Sequence, residues 1–385
     1  MRLSRPFKAI IRELETPRAE RPFGSGWLSG SLAVLAGILA IAAVLAMRFP
    51  ATFLSPDLAF IHQSVPIRSL LHGLLLLGYL LSFISLILSR KPTLSMTGFF
   101  LFVVAALIYA PPSEAGAANQ SLYFGIDFFI LKILTVGLLF LPLERLFPHK
   151  PEQTVLRYAW REDFFYFAVS SLLVQVLNYL TLAPATFVNN TFSIEGVRHT
   201  IFELPLFVQV FLIMLATDFI QYWLHYAFHK IPFLWRFHSI HHSTEAMDWV
   251  AGARMHFFEV TILRAVTALP MLTLGFDPNA VQIYLVIVYF YSAFVHANIE
   301  VKLGPLERFF VTPRFHHWHH GSEKEALDVN FAVHFPLYDW LFGTYHMPEG
   351  RWPKAYGVHG EELPRGYVRQ FLHPFRRKKT KAPAE

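Results

Sequence analysis

"LPLFVQVFLIMLATDFIQYWLHYAFH", residues 204–229, decides the fold. Its first 21 residues, 204–224, are almost wholly apolar, and a helix needs about 20 such residues to cross a hydrocarbon core. The last five residues carry His225 and His229. Positions i and i+4 lie one above the other on a helix, so both imidazoles face the same way, and Asp218 lies on about the same face. An apolar crossing therefore ends in a pair of metal-binding side chains.

The rest of the chain repeats both halves of this pattern. Of 385 residues, 54% are hydrophobic, 16% aromatic and only 16% charged, with a mean hydropathy of +0.39. A soluble domain carries about a quarter charged residues, so the composition points to a membrane. Further apolar runs are 27–47, 67–89, 94–110, 122–142, 164–183, 257–274 and 280–295. With 204–224 they make about eight spans of a multi-pass, all-α bundle, and the last two are short enough to form a hairpin. The first span is too long and too far from the start for a cleaved signal peptide.

Positive charge sorts the loops. Arg2, Arg5, Lys8, Arg12, Arg18 and Arg21 precede the first span, Arg90 and Lys91 follow the second, and Arg145, Lys150, Arg157 and Arg161 follow the fourth. Residues 111–121 hold no Lys or Arg, and 48–66 hold only Arg48. The positive-inside rule then puts both termini in the cytoplasm. The formal net charge of +6 gathers at the two ends and reads as topology, not as nucleic-acid binding. The expected organisation is a basic cytosolic N-terminus (1–26), a four-span membrane module (27–150), a catalytic domain (151–350) and a basic cytosolic tail (351–385). The length of the chain and the lack of a retrieval-like tail favour a bacterial inner membrane over endoplasmic reticulum.

Eleven of the 19 histidines fall between His225 and His320, all on the expected cytoplasmic side. "FHSIHHS" places His238, His241 and His242 at i, i+3 and i+4, and "PRFHHWHH" repeats that spacing with His316, His319 and His320. His317 is one step off and points elsewhere. Each group alone has a bland reading as structural or interfacial histidine, but three groups on one side of a membrane converge on a single cap. His296, in "FVHANIE", closes the eighth span at the same face and reads as a ninth ligand. His256 begins the seventh span and reads as an outer partner. Asp218, Glu259, Asn298 and Asn330 are candidates to hold the outer ring nitrogens.

Zero cysteines exclude thiolate zinc, iron–sulfur clusters and thiol nucleophiles. Eight or nine imidazoles oversupply one zinc, which takes four ligands in a closed site and three in a catalytic one. Magnesium and calcium want oxygen ligands, whereas imidazole suits iron, copper, zinc and nickel. The count fits two metals sharing about four histidines each, iron if the reaction uses dioxygen.

At these residues the sequence resembles the fatty acid hydroxylase/sterol desaturase superfamily of membrane di-iron enzymes. The resemblance covers roughly 160–350 and rests on "DFIQYWLHYAFH", "LWRFHSIHHS", "RMHFFE", "HANIEVKLGPLERFFVTPRFHHWHH" and "NFAVHFPLYDWLFGTY". It implies metal ligation by His225, His229, His238, His241, His242, His316, His319 and His320, with His296 matching a lone histidine of the family pattern. Tyr226 stands where the family usually has Arg, and Phe257 where Pro commonly follows the histidine. The resemblance also implies two iron ions, dioxygen as co-substrate and a lipid substrate of sterol or fatty acyl type, with hydroxylation of an unactivated C–H bond. Desaturation by the same site is the nearest alternative, and the motif set is shared by several such activities.

No haem, cysteine or glycine-rich dinucleotide signature is present, so electrons come from a separate donor: a cytochrome, a ferredoxin or a flavoprotein reductase. The tail "RRKKTK" (376–381) reads as an anchor to anionic lipid or a dock for an acidic donor. A metal transporter or sensor is the rival from another class. It would need ionisable residues along its spans, which hold few charges, Asp127, Lys132 and Arg264 being the main ones.

Overall fold

Every regular element among the described residues is helical, with two isolated β-bridges, Pro148 to Ile299 and Gly321 to Tyr356. The computed structural model describes residues 16–21, 24–48, 65–109, 133–192, 194–360 and 363–376. Residues 122–132 of the fourth expected span, the 111–121 loop, the arginines and lysine of 1–15, and 377–381 of the basic tail lie outside them.

The chain divides into two compact units, Met1–Ser121 with Lys150–Arg157, and Leu122–His149 with Tyr158–Glu385. In the first, α1 (Trp27–Arg48), α2 (Val65–Leu88) and α3 (Thr93–Ile108) pack around Ala36, Ala40, Val44, Leu71, Phe102 and Ala105. Without lipid-excluded water to drive them together, membrane helices associate through small residues that permit close approach. At Gly78 a Cβ would stand 1.7 Å from the Phe102 ring.

The second unit holds α4 (Leu138–Leu146), α5 (Trp160–Leu172), α6 (Val174–Thr191), α7 (Glu195–Phe202), α8 (Leu206–Lys230), α9 (Pro232–His242), α10 (Phe257–Thr273), α11 (Pro278–His296), α12 (Pro313–His319), α13 (Leu337–Phe342) and α14 (Tyr367–Leu372). Here α8, α10 and α11 meet on Ile213, Ala268, Met271, Phe276, Ala280 and Tyr284. Helix α4 falls in the second unit, and the segment Lys150–Arg157 that follows it in the first.

Among the described residues, four helices are long and apolar enough to cross a membrane: Trp27–Arg48, Ser69–Leu88, Leu206–Lys230 and Pro278–His296. The other expected spans differ. The 94–110 run forms the 16-residue α3, and 257–274 forms the 17-residue α10 with Pro270 inside it. The 164–183 run is split at Leu173 into α5 and α6. Just before the break, the hydroxyls of Ser170 and Ser171 both donate to the Phe167 carbonyl, at 3.1 and 2.7 Å, a competition with the helical ladder that bends helices. Helix α5 also starts earlier than the apolar run, at Trp160. Its first turn carries Glu162 and Asp163, which bind Arg254, Gly366 and Gln370.

Two local devices turn the histidine-bearing segments toward each other. A single residue, Ile231, separates α8 from α9; Pro232 opens α9 and holds Ile231 extended (φ −94°, ψ 114°). The chain reverses there, and α9 returns along the end of α8. In α12, Pro313 again takes the first position, and the Thr312 hydroxyl accepts from Phe315 N.

The segment after α12 is pinned by two buried carboxylates. Asp218 of α8 accepts from the backbone N–H groups of Val333, His334 and Phe335 at 2.8, 3.1 and 2.8 Å. Asp339 accepts from Phe331 and Ala332 N–H at 2.7 and 2.8 Å and from the Thr344 hydroxyl at 2.6 Å. Hydrogen bonds to a charged acceptor contribute about 1.5–3 kcal/mol each. Asp218→Ala is therefore expected to lower stability by at least about 3 kcal/mol, measured as a fall in the thermal unfolding midpoint in detergent.

Candidate metal centre

All nine histidines expected as ligands come together. They form two adjoining groups: His225, His229, His238, His242 and His319 in one, and His241, His296, His316 and His320 in the other. Within each group one ring nitrogen per residue lies within 4.8 Å of every other. The groups touch through stacked rings of His242 and His320, 4.5 Å apart. The division is five and four, where the sequence predicts about four each.

The histidines sit in the last turns of α8, α9, α11 and α12 or just beyond. A helix C-terminus carries about half a negative charge, so four helix ends aim partial negative charge at one place. That field favours a cation.

The ring tautomers are fixed from outside. His225 Nδ1 lies 2.9 Å from the Phe331 carbonyl, His319 Nδ1 2.8 Å from that of Val329, His241 Nδ1 3.0 Å from that of Arg254, and His296 Nδ1 2.7 Å from that of Ser292. A carbonyl oxygen only accepts, so each of these four rings carries its proton on Nδ1 and presents a bare Nε2 inward. His238 Nδ1 meets Glu259 Oε1 at 2.5 Å, and His229 Nδ1 meets Asp328 Oδ1 at 3.3 Å.

The inward nitrogens crowd one another. His241 Nε2 and His296 Nε2 are 3.3 Å apart, and His225 Nε2 and His238 Nε2 are 3.1 Å apart. With protons on Nδ1 these are contacts between lone pairs, which repel. Nitrogen ligands about 2.1 Å from a shared cation, at right or tetrahedral angles, stand about 3.0–3.4 Å from each other. The spacing is that of ligands around a missing partner. His229 Nε2 and His319 Nε2 are likewise buried without a hydrogen-bond partner. An unsatisfied buried polar atom costs about 1–3 kcal/mol, so six bare nitrogens cost on the order of 10 kcal/mol, as much as a typical domain's whole stability of about 5–15 kcal/mol. The residues fit metal.

One short loop organises the group of five. In "DVNF", 328–331, the Asp328 carboxylate meets His229, the Val329 carbonyl meets His319 and the Phe331 carbonyl meets His225. Asp328 and Asn330 both adopt φ of +59°, a left-handed conformation that Asp and Asn tolerate better than other side chains. Asn330 locks the turn by donating to the Phe315 and His346 carbonyls at 2.9 and 2.8 Å and accepting from His346 N–H at 2.7 Å. Hydrogen bonds from His229 and Lys230 hold the Asp328 carboxyl down to about 2.

Other expectations resolve differently. Of the four polar candidates for the outer nitrogens, Glu259 takes that role, on His238. Asp218 and Asn330 instead hold backbone, and Asn298 is tied through its own N–H to Glu144 Oε1 at 2.9 Å. His256 caps α10 by accepting from Phe258 N–H and reaches the Phe371 carbonyl at 3.0 Å. His317 turns away from both groups; its Nε2 donates to the His296 carbonyl at 3.2 Å, and its Nδ1 accepts from the Tyr356 hydroxyl at 2.9 Å. Asp328 and the four carbonyls escape sequence reasoning, because a backbone acceptor has no residue type and Asp328 belongs to no histidine motif.

Comparison with known proteins agrees with this geometry. Residues 210–344 match the fatty acid hydroxylase family profile. This segment is a fatty acid hydroxylase domain. The ornithine lipid hydroxylase of Rhizobium tropici is 31% identical over 178 residues, which are 46% of this chain and 53% of that protein. The alkylglycerol monooxygenase of Homo sapiens is 30% identical over 131 residues, 34% of this chain and 29% of that one. A very-long-chain aldehyde decarbonylase of Arabidopsis thaliana is 29% identical over 138 residues, 33% of this chain and 21% of its own length. The chain thus spans about half the length of the first relative and less than a third of the others. No solved structure matches it.

Burial first, and the neighbouring rings second, hold His238, His241, His242, His316 and His320 well below the ordinary histidine range; burial does the same to His319, again helped by its neighbours. The folded centre refuses protons that the unfolded chain takes up near pH 6.5. The stability tied to these rings is complete above that pH and is lost as the pH falls through the depressed values. Burial pushes the Asp339 carboxyl up to about 6, which acts in the opposite sense and offsets part of the loss. Metal-free protein should therefore unfold at a lower temperature at about pH 5.5 than at about pH 7.5; calorimetry or a thermal-shift assay in detergent reads the difference.

Proposed function

We propose that this chain is an integral-membrane, iron-dependent oxygenase that uses dioxygen to hydroxylate an unactivated C–H bond of a lipid. The supporting observation is the set of bare Nε2 atoms in two groups, spaced as ligands of two cations. Imidazole donors suit iron. The relatives are named for hydroxylation, monooxygenation and decarbonylation of lipids or lipid-derived molecules, which favours oxygen insertion over desaturation.

His225, His229, His238, His242 and His319 would hold one iron, and His241, His296, His316 and His320 the other. When bound, the iron pair supplies the redox chemistry that turns dioxygen against the C–H bond. The chain supplies the rest. The carbonyls of residues 254, 292, 329 and 331, with Glu259 and Asp328, hold the Nδ1 protons of six of the nine rings and so keep those Nε2 atoms aimed inward. Burial of His238, His317, His319 and His320, each at most 2% exposed, excludes bulk water from an oxidising centre. The ligands stand at the C-terminal ends of α8 and α11, two helices long enough to cross a membrane, so a lipid tail meets the centre at the edge of the bilayer.

The topology belongs to the same proposal: about eight crossings, both termini in the cytoplasm of a bacterial inner membrane, and the histidine cap on the cytoplasmic side. Residues 27–150 act as a membrane module and 151–350 as the catalytic domain. Electrons arrive from a separate cytochrome, ferredoxin or reductase.

Two irons per chain are expected in anaerobically purified protein, with His241→Ala or His319→Ala losing metal and all activity, while His317→Ala retains both metals. With lipid substrate and isotopically labelled dioxygen, the product keeps the label. One iron or none, or an unlabelled alkene product, contradicts the proposal.

A further inference from the structure

The two histidine groups differ in what stands behind the ligands. In the group of five, two Nδ1 atoms face carboxylates: His238 faces Glu259 and His229 faces Asp328. In the group of four, none does among the described residues. His241 and His296 use the carbonyls of Arg254 and Ser292, and Nδ1 of His316 and of His320 is buried without a partner. A carboxylate behind an imidazole makes it a more basic ligand, and two of them add negative charge beside one cation. The group of five also brings one more imidazole, so an ion held there would have fewer positions left for another ligand than one held by the group of four.

A polar cleft of about 310 Å³ has Arg254, Ser322 and Tyr356 in its wall. Arg254 holds His241 through its carbonyl, and Tyr356 reaches the His296 carbonyl through His317. Ser322 stands two residues beyond His320. Ser243, which follows His242 of the group of five, lines the same wall, so the cleft borders both groups, and the openness of the group of four rests on its smaller ligand count.

We propose that the group of five is the tight, closed metal site, made so by Glu259 and Asp328 as positioning residues. The group of four is the open site, where a small diatomic or anionic ligand reaches the centre. This rests on the reading of the nine histidines as holders of a metal pair.

The test titrates metal-free, full-length protein in detergent with cobalt(II), following bound metal and visible absorption, and then adds azide. Two steps are expected, the first at least about tenfold tighter, with azide altering only the spectrum of the second. His320→Ala removes the second step and leaves the first. Glu259→Gln keeps the side-chain volume and removes the charge; it should weaken the first step about 10–100-fold and leave the second in place. A single step of two equal ions, azide acting on the first ion, or Glu259→Gln weakening both steps equally overturns the asymmetry while leaving the two-metal reading intact. Fewer than two cobalt ions per wild-type chain overturns both. The azide arm needs no variant, so a misfolded variant leaves the question decidable.

Discussion

The structure turns on an electrostatic conflict that a bound cation would resolve. Backbone carbonyls fix protons on the outer nitrogens of His225, His241, His296 and His319, which leaves bare lone pairs facing each other about 3 Å apart in a dry interior. Neutral hydrogen bonding cannot satisfy them from within, because the protons are committed elsewhere. Binding of a structural metal contributes about 10–16 kcal/mol in small zinc domains, a magnitude that matches the cost of leaving such a cluster empty. The four converging helix ends and the two carboxylates behind His229 and His238 push in the same direction.

That requirement explains several features with no other evident cause. The one-residue corner at Ile231 brings α9 back along α8. The left-handed turn at Asp328 and Asn330 strains the backbone so that acceptors on residues 328, 329 and 331 meet three different rings. Asp218 leaves the metal face to its neighbours and holds the backbone of 333–335, so the carboxylate on the ligand-bearing helix α8 serves the scaffold instead. The early start of α5, with Glu162 and Asp163 bound to Arg254, anchors the segment whose carbonyl holds His241.

Much of this was legible in the sequence because the spacing i, i+3, i+4 is local: a helix converts it directly into a shared face, and His225 through His320 announce three such faces. The apolar runs behind α1, α2, α8 and α11 were legible for the same reason. The supports were not. A carbonyl such as that of Val329 leaves no mark in residue type, and only the fold brings residue 328 beside residue 229. The break at Leu173 and the 16- and 17-residue lengths of α3 and α10 likewise follow from serine competition and local composition that a count of apolar residues overlooks.

X-ray absorption at the iron edge of the loaded protein tests the central claim most directly. The spectrum expected has a near shell of nitrogen at about 2.0–2.2 Å, outer scattering from imidazole rings, and between four and five imidazoles per iron. A near shell dominated by oxygen, or fewer than about three imidazoles per metal, would mean that the converging nitrogens do not hold the ion.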